Sequence, residues 1–337
     1  MKGVLVKDWT EFHNLEIDEV PPLAALSPRH VKIDVHCAGV SFAASLVVAG
    51  KYQRKPPLPF VPGTEVTGRI AEVGTEVTRF KVGDKVAAAL DWGAMAEQVV
   101  TPDATVFALP ESLDFGQAIG LTNSYMTSLA ALTWPHLLNV QAGDVLLVHG
   151  AAGGVGLAAV EIGKILGAQV IATAGSPQKV TAALTAGADY AINYREQNFR
   201  DEVLALTNGL GANAIFDPVG GDVFDQSLRC IAPEGRIAPI GFASGRIQSI
   251  PANILLVKSV TVCGLNMGYY FGWSPKDVRY QYTDKLQAMM AQLCAWCEHG
   301  KIHPRTSHLL PLTQFKHAMK LVLGREAIGR VALKIRD

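Results

Sequence analysis

The chain has 337 residues, long for a single hydrophobic core, so two domains are the natural expectation. Hydrophobic residues make up 49% and charged residues 18%, which excludes a disordered, collagenous or membrane-embedded class. The 30 basic residues balance the 30 acidic ones, leaving no broad electrostatic footprint for nucleic acid or an anionic membrane surface.

The opening "MKGVLVKDW" alternates like a strand and lacks the apolar block and small-residue cleavage site of a signal peptide. No apolar run reaches the length of a membrane span. From there to about residue 120 the chain reads as short strands: "HVKIDVHCAGVS", "VTGRIAEVGTEV", "RFKVGDKVAAAL" and "MAEQVVTPDATVFALP". Turn signals at Pro62-Gly63, Gly74-Thr75, Gly83-Asp84 and Pro102-Asp103 divide them, predicting a curled all-β body with few helices.

From about 121 to 264 strand and helix signals alternate. "DVLLVHG" is a continuous apolar strand and "GVGLAAVEIGKILG" a helix apolar nearly all round. "QVIATA", "KVTAALTAG", "YAIN", "FRDEVLALTNG", "NAIFDPVG", "FDQSLRCIAPEG" and "RIAPIGF" continue the alternation expected of a doubly wound parallel sheet. The tail from about 265 reads as a long helix, a strand-like "HLLPL", a second helix and a last strand "GRVALKI". A lone strand and helix cannot bury a core, so the tail is expected to return to the first domain. That assigns residues 1–122 and 265–337 to one domain and 123–264 to the other.

Five cysteines, at 37, 230, 263, 294 and 297, are too few and scattered for a disulfide framework, and a reducing cytoplasm is the plain expectation. Cys294 and Cys297 form a C-x-x-C late in an amphipathic helix that stops at Gly300. A redox pair belongs at a helix N-terminus, where the thiol pKa falls, and a zinc site needs a second ligand pair. Packing cysteines are the reading here.

Ala152, Gly153, Gly154, Val155 and Gly156 lie between a predicted strand and a predicted helix. Glycine permits the tight turn and lets a pyrophosphate approach main-chain N–H groups at the positive helix end. In NAD-type units an acid about 20 residues beyond the glycines accepts the ribose hydroxyls. Here Ala174, Gly175 and Ser176 occupy that stretch, with Lys179 one helical turn later. An acid would repel a 2′-phosphate, whereas a small residue leaves room and Ser176 and Lys179 offer a hydroxyl and a charge. The expected cofactor is NADPH.

The stretches "PFVPGTEVTGRIAEVG", "VGDKV", "NSYMTSLAAL", "GDVLLVHGAAGGVGLAAVEIGKILGAQVIAT", "FDPVGG" and "IPANILLVKSVTVCGLNMG" resemble, in this order, the zinc-free quinone oxidoreductase (zeta-crystallin-like) branch of the medium-chain dehydrogenase/reductase superfamily. The resemblance covers nearly the whole chain. It implies a GroES-like β-rich catalytic domain from both chain ends, a Rossmann domain between them, NADPH, and a cytoplasmic homo-oligomer, usually a homodimer.

In the zinc alcohol dehydrogenases of that superfamily a Cys precedes a His near "AGV", and a Gly-His-Glu follows the proline. This chain has Ser41, Phe42 and Thr64 at those places, and only Glu65 survives. Hydroxyls are poor zinc ligands beside thiolate and imidazole, and no Cys lies between 37 and 230 to build a structural zinc lobe. No metal is expected. Carried over from the family, Tyr125 and Thr127 stand near the nicotinamide, the Thr hydroxyl bonding the carboxamide. Tyr194 and Arg325 accompany Ser176 and Lys179 around the adenosine phosphate, and Gly241, Phe242, Asn266 and Met267 border the nicotinamide. Two positions depart from the pattern: Ser41 replaces an Asn of the substrate cleft, and Leu129 replaces a tyrosine.

The expected reaction is hydride transfer from NADPH to a quinone or other electron-poor enone, with the protein orienting the partners and receiving developing charge. Tyr52 of "AGKYQ" matches a tyrosine that donates a proton in related enoyl-thioester reductases, and packing of the cleft wall is its alternative role. Ser41 is a second candidate for oxyanion contact. Two other functions stay open: an enoyl-thioester or alkenal double-bond reductase, and a weakly catalytic, crystallin-like NADPH-binding protein. The aromatic run "GYYFGW" fits a substrate mouth and a domain or subunit contact equally well.

Overall fold

The computed structural model describes residues 1–23, 25–274 and 276–336. It divides into two compact units, one of Met1–Asn123, Met267–His299 and Pro304–Asp337, the other of Ser124–Asn266 and Gly300–His303.

The first unit is organised by the strand His30–Val40, whose alternation sends Val31, Ile33 and Val35 inward and His30, Lys32, Asp34 and His36 toward the other face. It pairs antiparallel with Glu65–Val73, with Gln98–Pro102 and with the C-terminal strand Arg330–Lys334, where Val331 faces Val40. Two bulges in the pairing with Glu65–Val73 bend the seven-stranded sheet around its core. Phe60, Leu90, Met95 and Val99 fill that core, with Phe315 and Met319 of the helix Phe315–Leu323. The helix Thr283–Glu298 buries Leu286, Met289, Met290, Leu293 and Cys294, and Gly300 beyond it takes the left-handed conformation that ends a helix. Burial pushes the Cys294 thiol up to about 11, as expected of a packing cysteine rather than a reactive thiolate.

Helices are more frequent near the N-terminal strands than the turn-rich sequence suggests. Ser41 caps a helix Phe42–Val48, and Phe115–Gly120 runs through a single π turn, Leu121–Tyr125, into Met126–Thr133. The chain passes from one unit to the other within this turn.

The second unit holds a six-stranded parallel sheet in the order Tyr190–Asn193, Gln169–Ala174, Val145–Val148, Ala212–Asp217, Ile231–Pro239, Thr261–Val262. The chain winds outward from Val145–Val148 in both directions, so the switch point falls between that strand and Ala212–Asp217, the place where doubly wound sheets bind ligands. "APEG" does not end the fifth strand. Glu234 takes a positive φ of 61° and the register slips between Ala212 and Ala214, so the extra residues leave as a bulge and pairing resumes at Arg236. Among the described residues no helix is long and apolar enough to cross a membrane.

His149 lies at the end of the first strand of this sheet, 1% exposed. Its Nε2 lies 2.8 Å from Ser227 Oγ and its Nδ1 2.9 Å from Thr173 Oγ1. Ser227 already donates to the Val223 carbonyl, so Nε2 carries the proton and Nδ1 accepts from Thr173. Full burial drives the imidazole pKa down to about 3. The unfolded chain, titrating near about 6.5, therefore binds the proton first, and stability falls as pH drops between those values. The expected loss from this one group is about 2 kcal/mol at about pH 5. Denaturant melts of wild type and His149→Gln across that range check it: the variant's stability falls less steeply with acidification.

Candidate active site

The strand Val145–Val148 turns at Gly150, which adopts a φ of +56°, and the Gly153 N–H donates back to the Gly150 carbonyl at 2.9 Å. Gly153 then caps the helix Gly154–Ile165 without a side chain. A Cβ on Gly156 would lie 2.3 Å from the Gly150 oxygen and 2.7 Å from Ala151 Cα, so only glycine lets this helix start so close to the turn. Ala151 and Ala152 of the loop are buried. The N–H groups of Gly154, Val155 and Gly156 belong to the first helical turn, have no acceptor within the helix, and sit at its positive end. A cradle this tight fits a pyrophosphate.

At the far end of the next strand, Gln169–Ala174, several predicted residues converge. Ser176 caps the helix Pro177–Thr185, its Oγ accepting from the Lys179 N–H at 3.4 Å. The Tyr194 N–H donates to the Ala174 carbonyl at 3.1 Å, and its exposed ring lies over Gly175, where a Cβ would meet the hydroxyl at 2.4 Å. Ala174, Gly175, Ser176 and Tyr194 thus meet at one edge, with Lys179 in the first turn of the helix that Ser176 caps. Its residues are small apart from Tyr194, and none of them is a carboxylate.

Thr127 is the second residue of the helix Met126–Thr133 and is half-buried between buried neighbours. Ser128 pins the same turn to the glycine-rich helix, donating to the Val155 carbonyl at 2.8 Å. Tyr125 is 3% exposed, and its hydroxyl donates to Glu161 at 2.6 Å. Gly241 and Phe242 follow the strand Ile231–Pro239 in a segment held by Ile240, Ala243 and Ser244 N–H bonds to the carbonyls of Asp217, Pro218 and Val219. Phe242 and Asn266 are exposed, whereas Met267, on the first unit, is buried.

The first unit carries the remaining candidates. Ser41 Oγ accepts from the Ala44 N–H at 3.3 Å as a helix cap, which leaves its proton to donate elsewhere. Tyr52 is half-buried, and burial raises its hydroxyl pKa, keeping it protonated at neutral pH. Arg325 follows the helix Phe315–Leu323 in a left-handed conformation and is exposed.

Two family descriptions match the chain: "Alcohol dehydrogenase GroES-like domain" over residues 27–111 and "Zinc-binding dehydrogenase" over residues 154–287. The mouse quinone oxidoreductase-like protein 2 is 39% identical over 96% of this chain and 89% of its own. A Pseudomonas aeruginosa quinone oxidoreductase is 34% identical over 95% of each. The chain belongs to the quinone oxidoreductase branch of the medium-chain dehydrogenase/reductase superfamily. The crystal structure of Escherichia coli quinone oxidoreductase complexed with NADPH is 27% identical and superposes with a TM-score of 0.87 over 99% of this chain and all of that one. This oxidoreductase thus combines a GroES-like unit with a Rossmann unit.

Within the oxidoreductase, Glu65 is 1% exposed and contacts the Arg330 guanidinium, while Thr122 donates to its other oxygen at 3.4 Å. Burial lowers the Arg330 pKa to about 10. Thr64 accepts from Asn123 Nδ2 at 3.4 Å. Among the described residues, no group of three or more His, Cys, Asp or Glu side chains is placed to hold a metal. Sequence reasoning did not single out Arg330, Glu161, Asp217 or His149. Asp217, fully buried, accepts from the Val219 and Gly220 N–H groups through one oxygen, and burial raises its pKa. The available signal for these residues was a charged or polar side chain inside an apolar run, as in "FDPV", "AVEIG" and "GRVAL".

Proposed function

We propose that this oxidoreductase transfers a hydride from NADPH to a quinone or another electron-poor enone, without a metal. The observation that carries the cofactor choice is the pocket edge of Ala174, Gly175, Ser176, Lys179 and Tyr194, which offers donors and no carboxylate where an NAD-type unit carries one. The Escherichia coli relative's NADPH complex supports the same choice. For a metal-free reaction the support is chemical: Ser41 and Thr64 stand in place of thiolate and imidazole, and Glu65 is engaged by Arg330.

When bound, NADPH supplies the hydride. The protein's part is to hold and orient. The N–H groups of Gly154, Val155 and Gly156 receive the pyrophosphate, and Ser176, Lys179 and Tyr194 receive the 2′-phosphate. Thr127 bonds the carboxamide and fixes which ring face is presented, and Gly241, Phe242 and Asn266 border the ring. A homodimer in the cytoplasm completes the reading. The dimer is supported by Ile247, Ile250, Leu256 and Val257, all exposed in one stretch, just before the edge strand Thr261–Val262. Leu256→Asp with Val257→Asp is expected to give monomers in light scattering; an unchanged mass removes this face from the dimer.

The deciding assay follows NADPH and NADH loss by absorbance against phenanthrenequinone, para-benzoquinone and a long-chain 2-alkenal, with and without a chelator. The expected result is quinone-dependent, chelator-insensitive loss of NADPH over NADH. Ala174→Asp is expected to shift that preference toward NADH by about tenfold or more, because one introduced like charge costs several kcal/mol beside a phosphate. Equal use of both cofactors by the wild type would overturn the cofactor assignment.

A second reading, reduction of an activated carbon–carbon double bond, is favoured by Tyr52. Its raised pKa keeps a proton available for an enolate formed after hydride addition. Tyr52→Phe is then expected to lower alkenal turnover about 100-fold with NADPH affinity unchanged. Undiminished turnover removes Tyr52 from the mechanism.

A further inference from the structure

The cofactor loop accounts for the first turn of the helix Gly154–Ile165, but its second half carries a carboxylate that this role leaves unused. Glu161 is 8% exposed in a helix whose neighbours are apolar. A buried carboxylate costs free energy unless its lone pairs are answered, and here all the answers come from two other segments of the same unit. The Tyr125 hydroxyl donates to Oε2 at 2.6 Å. The His303 backbone N–H donates between both oxygens, at 3.1 and 3.2 Å. The His303 imidazole adds its Nδ1 at 3.9 Å from Oε1, with its ring exposed to solvent.

Glu161 therefore ties together the cofactor helix, the turn that opens Met126–Thr133, and the four residues Gly300–His303 that return through this unit. The tied turn is the one that presents Thr127. Tyr125 stands two residues before it and Ser128 one after, and both are anchored to the cofactor helix, Ser128 at Val155 and Tyr125 at Glu161. Thr127 itself is half-buried, between the buried Met126 and Ser128.

We propose that Glu161 is a positioning residue for the dinucleotide: through Tyr125 it fixes the turn bearing Thr127 against the cofactor helix, so that the nicotinamide half meets a preset hydroxyl. The proposal rests on the reading of Thr127 as a carboxamide ligand. Its distinctive feature is charge. Three donor contacts from two groups converge on two oxygens, and only the carboxylate presents an acceptor at both. The groups facing it are the Tyr125 hydroxyl from one segment and the His303 N–H and imidazole from the other. Burial raises the Glu161 pKa, so acidification removes an acceptor at a higher pH than for a solvated glutamate; a protonated His303 opposes this.

The test uses the full chain with NADPH as probe. Glu161→Gln keeps the shape and turns one acceptor into a donor. It is expected to weaken NADPH binding about tenfold at neutral pH, the size of one hydrogen bond to a charged group. Wild-type affinity should fall further on acidification than the variant's; the cofactor's own 2′-phosphate titrates with both proteins and cancels in their ratio. Tyr125→Phe should weaken binding to a similar degree, and the double variant should be no weaker than Glu161→Gln alone. In the cofactor-free protein, hydrogen exchange over residues 121–128 should quicken in both single variants. Unchanged affinity in Tyr125→Phe, or additive losses in the double variant, overturns the proposal, and so does a wild-type-to-variant ratio that stays constant with pH. If the wild type itself fails to bind NADPH, the cofactor reading fails; the exchange comparison then decides the clamp alone.

Discussion

The dinucleotide unit depends on one close approach between backbones. The helix Gly154–Ile165 begins so near the preceding turn that the Gly156 Cα hydrogen points at the Gly150 carbonyl, and any side chain there would overlap it. The open N–H groups of Gly154 and Val155 lie in the helix turn that this contact seats. The contact also sets how the helix meets the sheet, so that Glu161, one and a half turns on, reaches the buried seam with Met126–Thr133. The loop's anion-binding capacity and the seating of the neighbouring helix are therefore consequences of the same steric requirement. Neither could be tuned alone.

Burial divides the unit's polar groups into two kinds. His149 meets two hydroxyls, and burial disfavours its charge so strongly that it acts as a neutral bridge between two strands and a helix. Glu161 and Asp217 meet N–H and O–H donors, which favour the carboxylate against the burial that disfavours it. The distinction follows from donor geometry more than from depth. His149 loses its bonding pattern when it gains a proton, and Glu161 loses an acceptor when it does. The two groups share acid sensitivity but differ in consequence: one lies at a strand end of the sheet, the other on the cofactor helix.

Where local pattern and tertiary environment agreed, the sequence was legible. "QVIATA" and "YAIN" coincide with the strands Gln169–Ala174 and Tyr190–Asn193, because an apolar run between a helix stop and a helix cap has few other ways to satisfy its backbone. The α/β class followed from the alternation of such segments. What stayed hidden was set by partners distant in sequence. The bulge at Glu234 depends on a strand some 20 residues earlier, and punctuation by Pro and Gly mimicked a strand end. The π turn at Leu121–Tyr125 has no composition of its own, and the helix Phe42–Val48 is only seven residues long and marked only by its Ser41 cap. At the candidate site, the missing acid at Ala174 was readable because it is a local absence. The partner of Glu161 was not, because Tyr125 lies 36 residues away.

Glu65 extends that logic to the first unit. A lone carboxylate surviving in a sequence that lacks its thiolate and imidazole companions looks like a relic. Its surroundings are nevertheless shaped around it: a Cβ on Gly39 would strike its oxygen, Thr122 donates to it, and the C-terminal strand delivers Arg330 against it. Such a pair gains little over a well-packed apolar alternative, yet removing either partner strands a buried charge. Glu65 and Arg330 are therefore locked to each other whatever function the pair once served or now serves. Arg330 begins the strand whose pairing with His30–Val40 joins the chain's end to its beginning, so a charge pair and a sheet closure depend on the same few residues.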